Sequence, residues 1–471
     1  MDTITDPTTA DIHATFDRAR RAQPHWATGG TGRDIMLCFH DLVLDRQDEL
    51  LDVIQDETGK NRASAFDEIL DVAITARHYA YAAARLLRPR RAKGAVPLLT
   101  RTRVERAPKG VVGIIAPWNY PLSLAMSDAI PALLAGNTVV LKPDEKTTRT
   151  AVAALEMLRE AGLPEDVMQV LPGSGEVVGQ AIARECDYLM FTGSTQVGRQ
   201  LGAVAGERLI GFSAELGGKN PLIIAPDADV SRAVQGARQA CFANSGQLCI
   251  SIERIYVHAG LAGDFLPAFI DAVEGMRIAG GREWSTDMGS LISPEHLARV
   301  SSLVDDAVAR GATVLTGGHA LPELGPTFYA PTVLTDVPED AELLRSEVFG
   351  PVVAVEVVGS IDEAVARAND SELGLNASVW AAPATGRKIA SRLEFGTVNI
   401  NDGFAAAWAS LDAPMGGWKA SGMGRRHADE GLLKYTEART VAEQRLASPG
   451  GSGGSRELVT TALKLGKRVL R

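Results

Sequence analysis

From Gly110 onward the chain repeats one grammar: a short β-branched run, a turn, then a stretch with apolar residues at helical spacing. Segments 111–115, 138–141, 167–171, 188–191 and 209–212 read as strands, with helices at 122–134, 149–160, 176–183 and 195–205 between them. Strands that alternate with helices in this way pair in parallel through helical crossovers, so a doubly wound α/β sheet is expected. The pattern restarts after Pro221, with helices at 229–243, 262–273 and 294–309 and strands at 254–257, 352–357 and 378–380. At 471 residues the chain is longer than one core usually serves, so these are two α/β domains. No internal repeat is visible.

Ahead of this region the spacing predicts a helix over 34–57, closed by Gly59, and a second over 63–87 that stops before Pro89. Segment 88–103 is rich in arginine and lysine around an apolar strip at 95–99, and reads as an excursion out of one domain. At the other end, SPGGSGGS (448–455) is a flexible linker by composition. Segment 456–471 sets Leu458, Val459, Leu463, Val469 and Leu470 against Lys464, Lys467, Arg468 and Arg471, the pattern of a short basic amphipathic helix.

The net charge of −10 argues against sequence-independent binding to nucleic acid. No apolar run reaches the length of a membrane span, and the polar segment 1–9 lacks the features of a signal peptide. Cys38, Cys186, Cys241 and Cys249 form no C-x-x-C pair and no cluster with histidine at metal-ligand spacing. Neither a disulfide framework nor a metal site is expected, and a cytoplasmic protein is the reading.

Two glycine-containing turns are candidates for a phosphate site. GSGEVVG (173–179) has the wrong last spacing for a dinucleotide fingerprint. GSTQVG (193–198) lacks the middle glycine, yet it follows a strand and opens a helix, where free N–H groups and the helix dipole suit an anion. Among the cysteines, Cys249 ends NSGQLC (244–249), a run of small and polar residues that puts the thiol at a loop or helix edge. Cys38, Cys186 and Cys241 read as inert core. ELGGKNP (215–221) and PWNYP (117–121) end predicted strands, the place where doubly wound sheets gather functional groups.

FTGST (191–195), ELGGK (215–219), GQLC (246–249), EVFGP (347–351) and PWNYP (117–121) together resemble the motif series of the aldehyde dehydrogenase superfamily, in its order and at its spacing. The resemblance covers about 34–442. Its wording around 209–215 and 246–257 is most similar to bacterial succinate-semialdehyde dehydrogenases. The resemblance implies a cofactor domain (about 1–86 and 106–217), a catalytic domain (about 218–420) and a bridging element (87–105 and 430–446) that joins subunits into a homodimer or homotetramer. It implies that Cys249 attacks the aldehyde as a thiolate, which requires a site that favours the charged form. Asn119 and the Cys249 amide would hold the oxyanion, and Glu215 would activate the water that hydrolyses the thioester. Trp118, Lys142, Glu145, Gly193, Ser194, Glu347 and Phe349 are the implied contacts to NAD or NADP. Lys142 and Glu145 meet the adenosine ribose, Ser194 the pyrophosphate, and Glu347 with Phe349 the nicotinamide ribose and ring.

Several residues depart from the family pattern or sharpen it. Glu145 keeps a carboxylate that accepts from a ribose 2′-hydroxyl and repels a 2′-phosphate, which favours NAD. Arg426 stands where many members have a glutamate, and Ser127 where the better-known succinate-semialdehyde enzymes have an arginine for the distal carboxylate. Arg426 and Arg254 are the candidates to replace that arginine. If both are structural, Phe404, Trp408 and Met415 would line an apolar pocket for uncharged aldehydes. Ser251 replaces the second cysteine of the family's redox-switch variant. Glu215 argues against a coenzyme-A-acylating enzyme, and the intact Cys249, Glu215 and Asn119 set against a non-catalytic scaffold.

Overall fold

A computed structural model describes residues 5–94 and 100–444, together with Glu457, Thr460, Thr461 and Lys464. Its first sheet has six strands in the order Gly422–Met423, Gly211–Glu215, Tyr188–Thr192, Val111–Ile115, Thr138–Lys142 and Met168–Val170. The five long neighbours pair in parallel, and only Gly422–Met423 runs antiparallel, at the edge beside Glu215. Val111–Ile115, Thr138–Lys142 and Tyr188–Thr192 are buried at every position, as strands covered on both faces must be. One face packs on helices Gly32–Asp45, Arg62–Leu87 and Pro121–Leu134, the other on Thr9–Gly29, Gln180–Glu185 and Thr195–Arg208. The chain lays strands outward from Val111–Ile115 to Met168–Val170, then returns to Tyr188–Thr192 on the other side. Strand order therefore reverses beside Val111–Ile115, and a crevice opens at the carboxyl ends there.

The second sheet has seven strands in the order Thr313–Thr316, Thr332–Thr335, Val352–Val358, Ile252–His258, Asn220–Ile224, Asn376–Trp380 and Thr397–Ile400. All but Thr313–Thr316 are parallel. A third, antiparallel sheet joins Arg90–Ala92, Thr100–Pro108 and Thr436–Gln444 across nine residue pairs of the last two strands. It links a segment before the first large sheet to one after the second.

Most of the elements read from the sequence lie within two residues of those observed, whereas strands Asn220–Ile224, Thr313–Thr316, Thr332–Thr335 and Thr397–Ile400 and helices Ile361–Asn369 and Pro383–Ala390 were not read. The helix expected over 34–57 is two, Gly32–Asp45 and Gln47–Thr58, broken at Arg46, whose φ of −111° and ψ of 26° leave the helical region. Arg46 instead ties the corner by binding Glu49 at 2.5 Å and Glu160 at 2.9 Å. Leu209 is not strand but a left-handed helix cap (φ 56°), 93% exposed, and the strand begins at Gly211. Cys38 is exposed rather than core, because it faces outward on its helix between buried Met36 and Phe39. Helix Thr9–Gly29 was not anticipated from its largely polar sequence. A capping box between Thr8 and Asp11 starts it, and Ile12, Phe16, Ala19 and Trp26 form its buried face. The apolar strip 95–99 and most of the tail lie outside the described residues; Glu457, Thr460, Thr461 and Lys464 are helical.

Candidate active site

Glu215 is the last residue of its strand and is buried in the crevice. Asn119 lies in the loop after Val111–Ile115, and Gly193 and Ser194 in the turn after Tyr188–Thr192. Cys249 comes from the other large sheet, at the amino end of strand Ile252–His258. The site is therefore a seam: carboxyl ends of one sheet face the entry to a strand of the other. A cavity of about 430 Å³ holds Cys249, Asn119, Glu215, Trp118, Gly193, Ser194, Glu347 and Phe349 on its walls. Lys142 and Glu145 stand apart from it, Lys142 at the end of strand Thr138–Lys142 and Glu145 just past it, with Lys142 Nζ 3.9 Å from Glu145 Oε1.

The turn before Cys249 is unusual backbone. Asn244, Ser245 and Gly246 have φ of 51°, 57° and 70° in succession. Side chains that would otherwise float are used to fix it: the Asn244 amide nitrogen donates to the Asn119 and Gln247 carbonyls, and Ser245 Oγ to the Gly289 carbonyl. Gly246 has no alternative, since a Cβ there would fall 2.0 Å from the Gly350 carbonyl oxygen. Asn220 Nδ2 then donates to the Cys249 carbonyl at 2.8 Å, and the Cys249 amide faces its own thiol. Asn119 Nδ2 donates one N–H to the Gln247 carbonyl at 3.0 Å, which leaves its second for a ligand.

The electrostatics run against one expectation. Burial, then Glu347 and Glu215, push the Cys249 thiol up to about 12, so this site by itself does not favour a thiolate. Glu215 is raised to about 7 by burial, opposed by Arg426 and Lys434. Glu347 is raised to about 8, by burial and by Glu253.

A second wall is built for a larger ligand. Ser194 caps helix Thr195–Arg208 by accepting from the Val197 amide, and Gly193, Ser194 and Gln196 at that helix start line the cavity, a place suited to an anion. Glu347 Oε1 accepts from the Gly218 amide at 2.9 Å, and a Cβ on Gly217 would sit 2.5 Å from Oε2, so the carboxyl lies in a cradle cut by glycine. Trp118, Phe349 and His296 form an edge-to-face cluster, with ring centroids 5.4 Å apart for Trp118–Phe349 and 5.5 Å for Trp118–His296. This combination of anion site, hydroxyl acceptor and aromatic wall fits a dinucleotide. His296 and Arg299 were not anticipated. His296 Nε2 bonds the Phe349 carbonyl at 2.7 Å, and Arg299 donates to the carbonyls of Val348 and Glu347. No sequence signal marks them, because both act only through a loop distant in the chain.

The two arginines proposed for a substrate carboxylate are otherwise engaged. Arg254 donates to the carbonyls of Lys219, Arg367 and Ala368 and to Tyr256 Oη, a structural role. Arg426 binds Asp128 at 2.5 Å and Thr192 Oγ1 at 2.8 Å, while Lys434 holds the other Asp128 oxygen at 2.9 Å. Ser127 donates to Asp71. Phe404, Trp408 and Met415 do pack with Leu248, Cys249 and Ile250, so the thiol has an apolar side. Ser251 donates to helix carbonyls beneath the turn.

The model of the aldehyde dehydrogenase family matches residues 1–441. The chain belongs to that family. As a member it is an aldehyde dehydrogenase that works with a nicotinamide dinucleotide. It is 53% identical over 449 residues to a protein of Mycolicibacterium smegmatis named "Putative succinate-semialdehyde dehydrogenase, NADP(+)", covering 95% of this chain and 87% of that one. Among solved structures, an NADP dependent enzyme of E. coli superposes with a TM-score of 0.90 at 33% identity, covering 94% of this aldehyde dehydrogenase and 92% of that chain. The NAD+ complex of an aldehyde dehydrogenase from Bacillus cereus does so with a TM-score of 0.89 at 34% identity, covering 93% and 90%.

Proposed function

We propose that the enzyme oxidises an aldehyde to its carboxylic acid through covalent intermediates on Cys249, with succinate semialdehyde as the first candidate substrate. The observation that carries the chemistry is one cavity holding a thiol, an amide with a free N–H and a carboxyl raised to about 7. Cys249 gives up its thiol proton to solvent as Sγ bonds to the carbonyl carbon, and the carbonyl oxygen takes up the negative charge between the Asn119 amide and the Cys249 N–H. The bound oxidised dinucleotide supplies a hydride acceptor and a positively charged ring. Loss of hydride from the thiohemiacetal leaves a thioester on Cys249. Glu215, ionised, takes a proton from water as the water attacks, and the acid leaves as the thiol is restored. Ser194 and the helix start beside it would hold the pyrophosphate, Glu347 the nicotinamide ribose, and Lys142 with Glu145 the adenosine ribose.

The same reading divides the chain into a cofactor domain (1–86 and 106–217), a catalytic domain (218–420) and the bridging sheet, which would join subunits in a homodimer or homotetramer. A cytoplasmic setting fits it, and among the described residues no helix is long and apolar enough to cross a membrane. The name of the mycobacterial relative supports succinate semialdehyde. A second reading, uncharged aldehydes, is favoured by the apolar contacts of Cys249 and by the engagement of Arg254 and Arg426 elsewhere. Comparing kcat/KM for succinate semialdehyde with butanal, equal in carbon count, separates them. A preference of tenfold or more for the semialdehyde, about 1.4 kcal/mol, shows a carboxylate anchor; a preference for butanal rejects it.

A further inference from the structure

Lys60 and Glu68 form an ion pair that is almost wholly withdrawn from water, 2% and 0% exposed, with Nζ 2.7 Å from Oε1. Neither touches the reacting cavity, yet the bonds their side chains make beyond the pair itself all lead to one loop and the helix that follows it. Lys60 Nζ also donates to the Asn119 carbonyl at 2.6 Å and lies 4.0 Å from the centre of the Tyr120 ring, which uses all three of its N–H groups. The second Glu68 oxygen accepts from the amides of Leu122 at 2.8 Å and Ser123 at 3.2 Å. These belong to the first turn of helix Pro121–Leu134, whose own cap residue, Tyr120, provides no side-chain bond. The Asn119 carbonyl has one further donor, Asn244 Nδ2 at 3.1 Å, from the turn that carries Cys249.

A buried ion pair is a poor way to gain stability, since apolar residues of similar size often serve as well. This one does something apolar residues cannot. It grips the Asn119–Tyr120 peptide from the carbonyl side and the following helix from its amide end, so the Asn119 side chain leaves a fixed point. One carboxamide N–H is then spent on Gln247 across the seam, and the direction of the other is set.

We propose that Lys60 and Glu68 are positioning residues for the oxyanion site, acting on the reaction through the placement of Asn119. The proposal rests on the reading of Asn119 as the oxyanion donor. A donor displaced by about 1 Å costs on the order of 10²-fold in rate. Lys60→Met should therefore slow the first-turnover release of NADH by about that factor, with KM for the aldehyde and affinity for the dinucleotide unchanged. Glu68→Gln, which keeps the shape and removes the charge, should act in the same direction.

The deciding measurement is a double-mutant cycle on the first-turnover rate, with Asn119→Ala, Lys60→Met and the two combined. If Lys60 acts through Asn119, the combined variant is no slower than Asn119→Ala alone. Effects that multiply would show a general structural role and overturn the proposal, as would a normal rate in Lys60→Met. Should Lys60→Met fail to fold, the same cycle is run with Glu68→Gln. A normal rate in Asn119→Ala would remove the oxyanion reading and the brace with it, whereas a slow Asn119→Ala beside a normal Lys60→Met removes the brace alone.

Discussion

Replacing Glu215 by glutamine should change the enzyme in two separable ways, because the carboxyl is buried and raised from 4.5 to about 7. About a tenth of it is ionised at pH 6, half at pH 7 and nine-tenths at pH 8. Only the carboxylate can take a proton from water, so thioester hydrolysis should quicken about tenfold between pH 6 and pH 8. Glutamine does not titrate. The variant should lose this pH limb and hydrolyse slowly, by a factor of about 10² to 10⁴. Its first turnover should still deliver a burst of NADH, which stopped-flow absorbance separates from the steady state. Stability should move the other way. An acid whose folded pKa is raised gives a fold that is fully stable while protonated and loses stability as pH rises from the unfolded value through the folded one. The gap of 7 − 4.5 is worth about 3 kcal/mol above pH 8. Glu215→Gln should therefore match the parent in denaturant unfolding near pH 4.5 and exceed it by about that much at pH 8. A pH limb that survives in the variant, a missing burst, or a less stable variant at pH 8 would each refute this account.

Cys249→Ser should remove dehydrogenase activity while dinucleotide binding, followed by fluorescence titration, persists; activity above a few per cent of the parent, about 5%, would reject Cys249 as the nucleophile. Glu145→Ser should shift the ratio of kcat/KM toward NADP by about tenfold or more, since a carboxylate repels the 2′-phosphate. An unaltered enzyme that already prefers NADP would show that the half-exposed Glu145 side chain turns away from the ribose.

What the sequence made legible follows from how local each cause is. Strands Val111–Ile115 and Thr138–Lys142 of the first sheet are announced by β-branched runs, and the helices by period and by caps such as Gly59. Cys249, Asn119 and Glu215 were legible through motifs, and the cavity holds all three. Relations between distant segments were not. Arg426 and Arg254 could each be read as a free cation, because nothing in the order of residues reveals that Asp128 lies against one and three backbone carbonyls against the other. His296, Arg299 and Glu253 were passed over for the same reason: they act on the Glu347–Phe349 loop, Glu253 by accepting from the amides of Val348 and Phe349. The surroundings of the thiol were not legible either, since burial, Glu347 and Glu215 shape them and the two carboxyls come from opposite sides of the seam.

That environment explains how a nucleophile can be kept in reserve. Three acids share the cavity, Cys249, Glu215 and Glu347, and burial shifts each toward its protonated form, the thiol furthest. Because like charges would crowd one small volume, ionising any one of them raises the cost of ionising the next. The cation behind them, Arg426, is already committed to Asp128, which together with Lys434 and despite burial it holds at about 2. A thiol at about 12 reacts slowly with oxidants and stray electrophiles, for which the thiolate is the reactive form. On the proposed mechanism Cys249 must lose its proton to attack an aldehyde, and positive charge brought into the cavity, such as an oxidised nicotinamide ring would carry, would favour that loss.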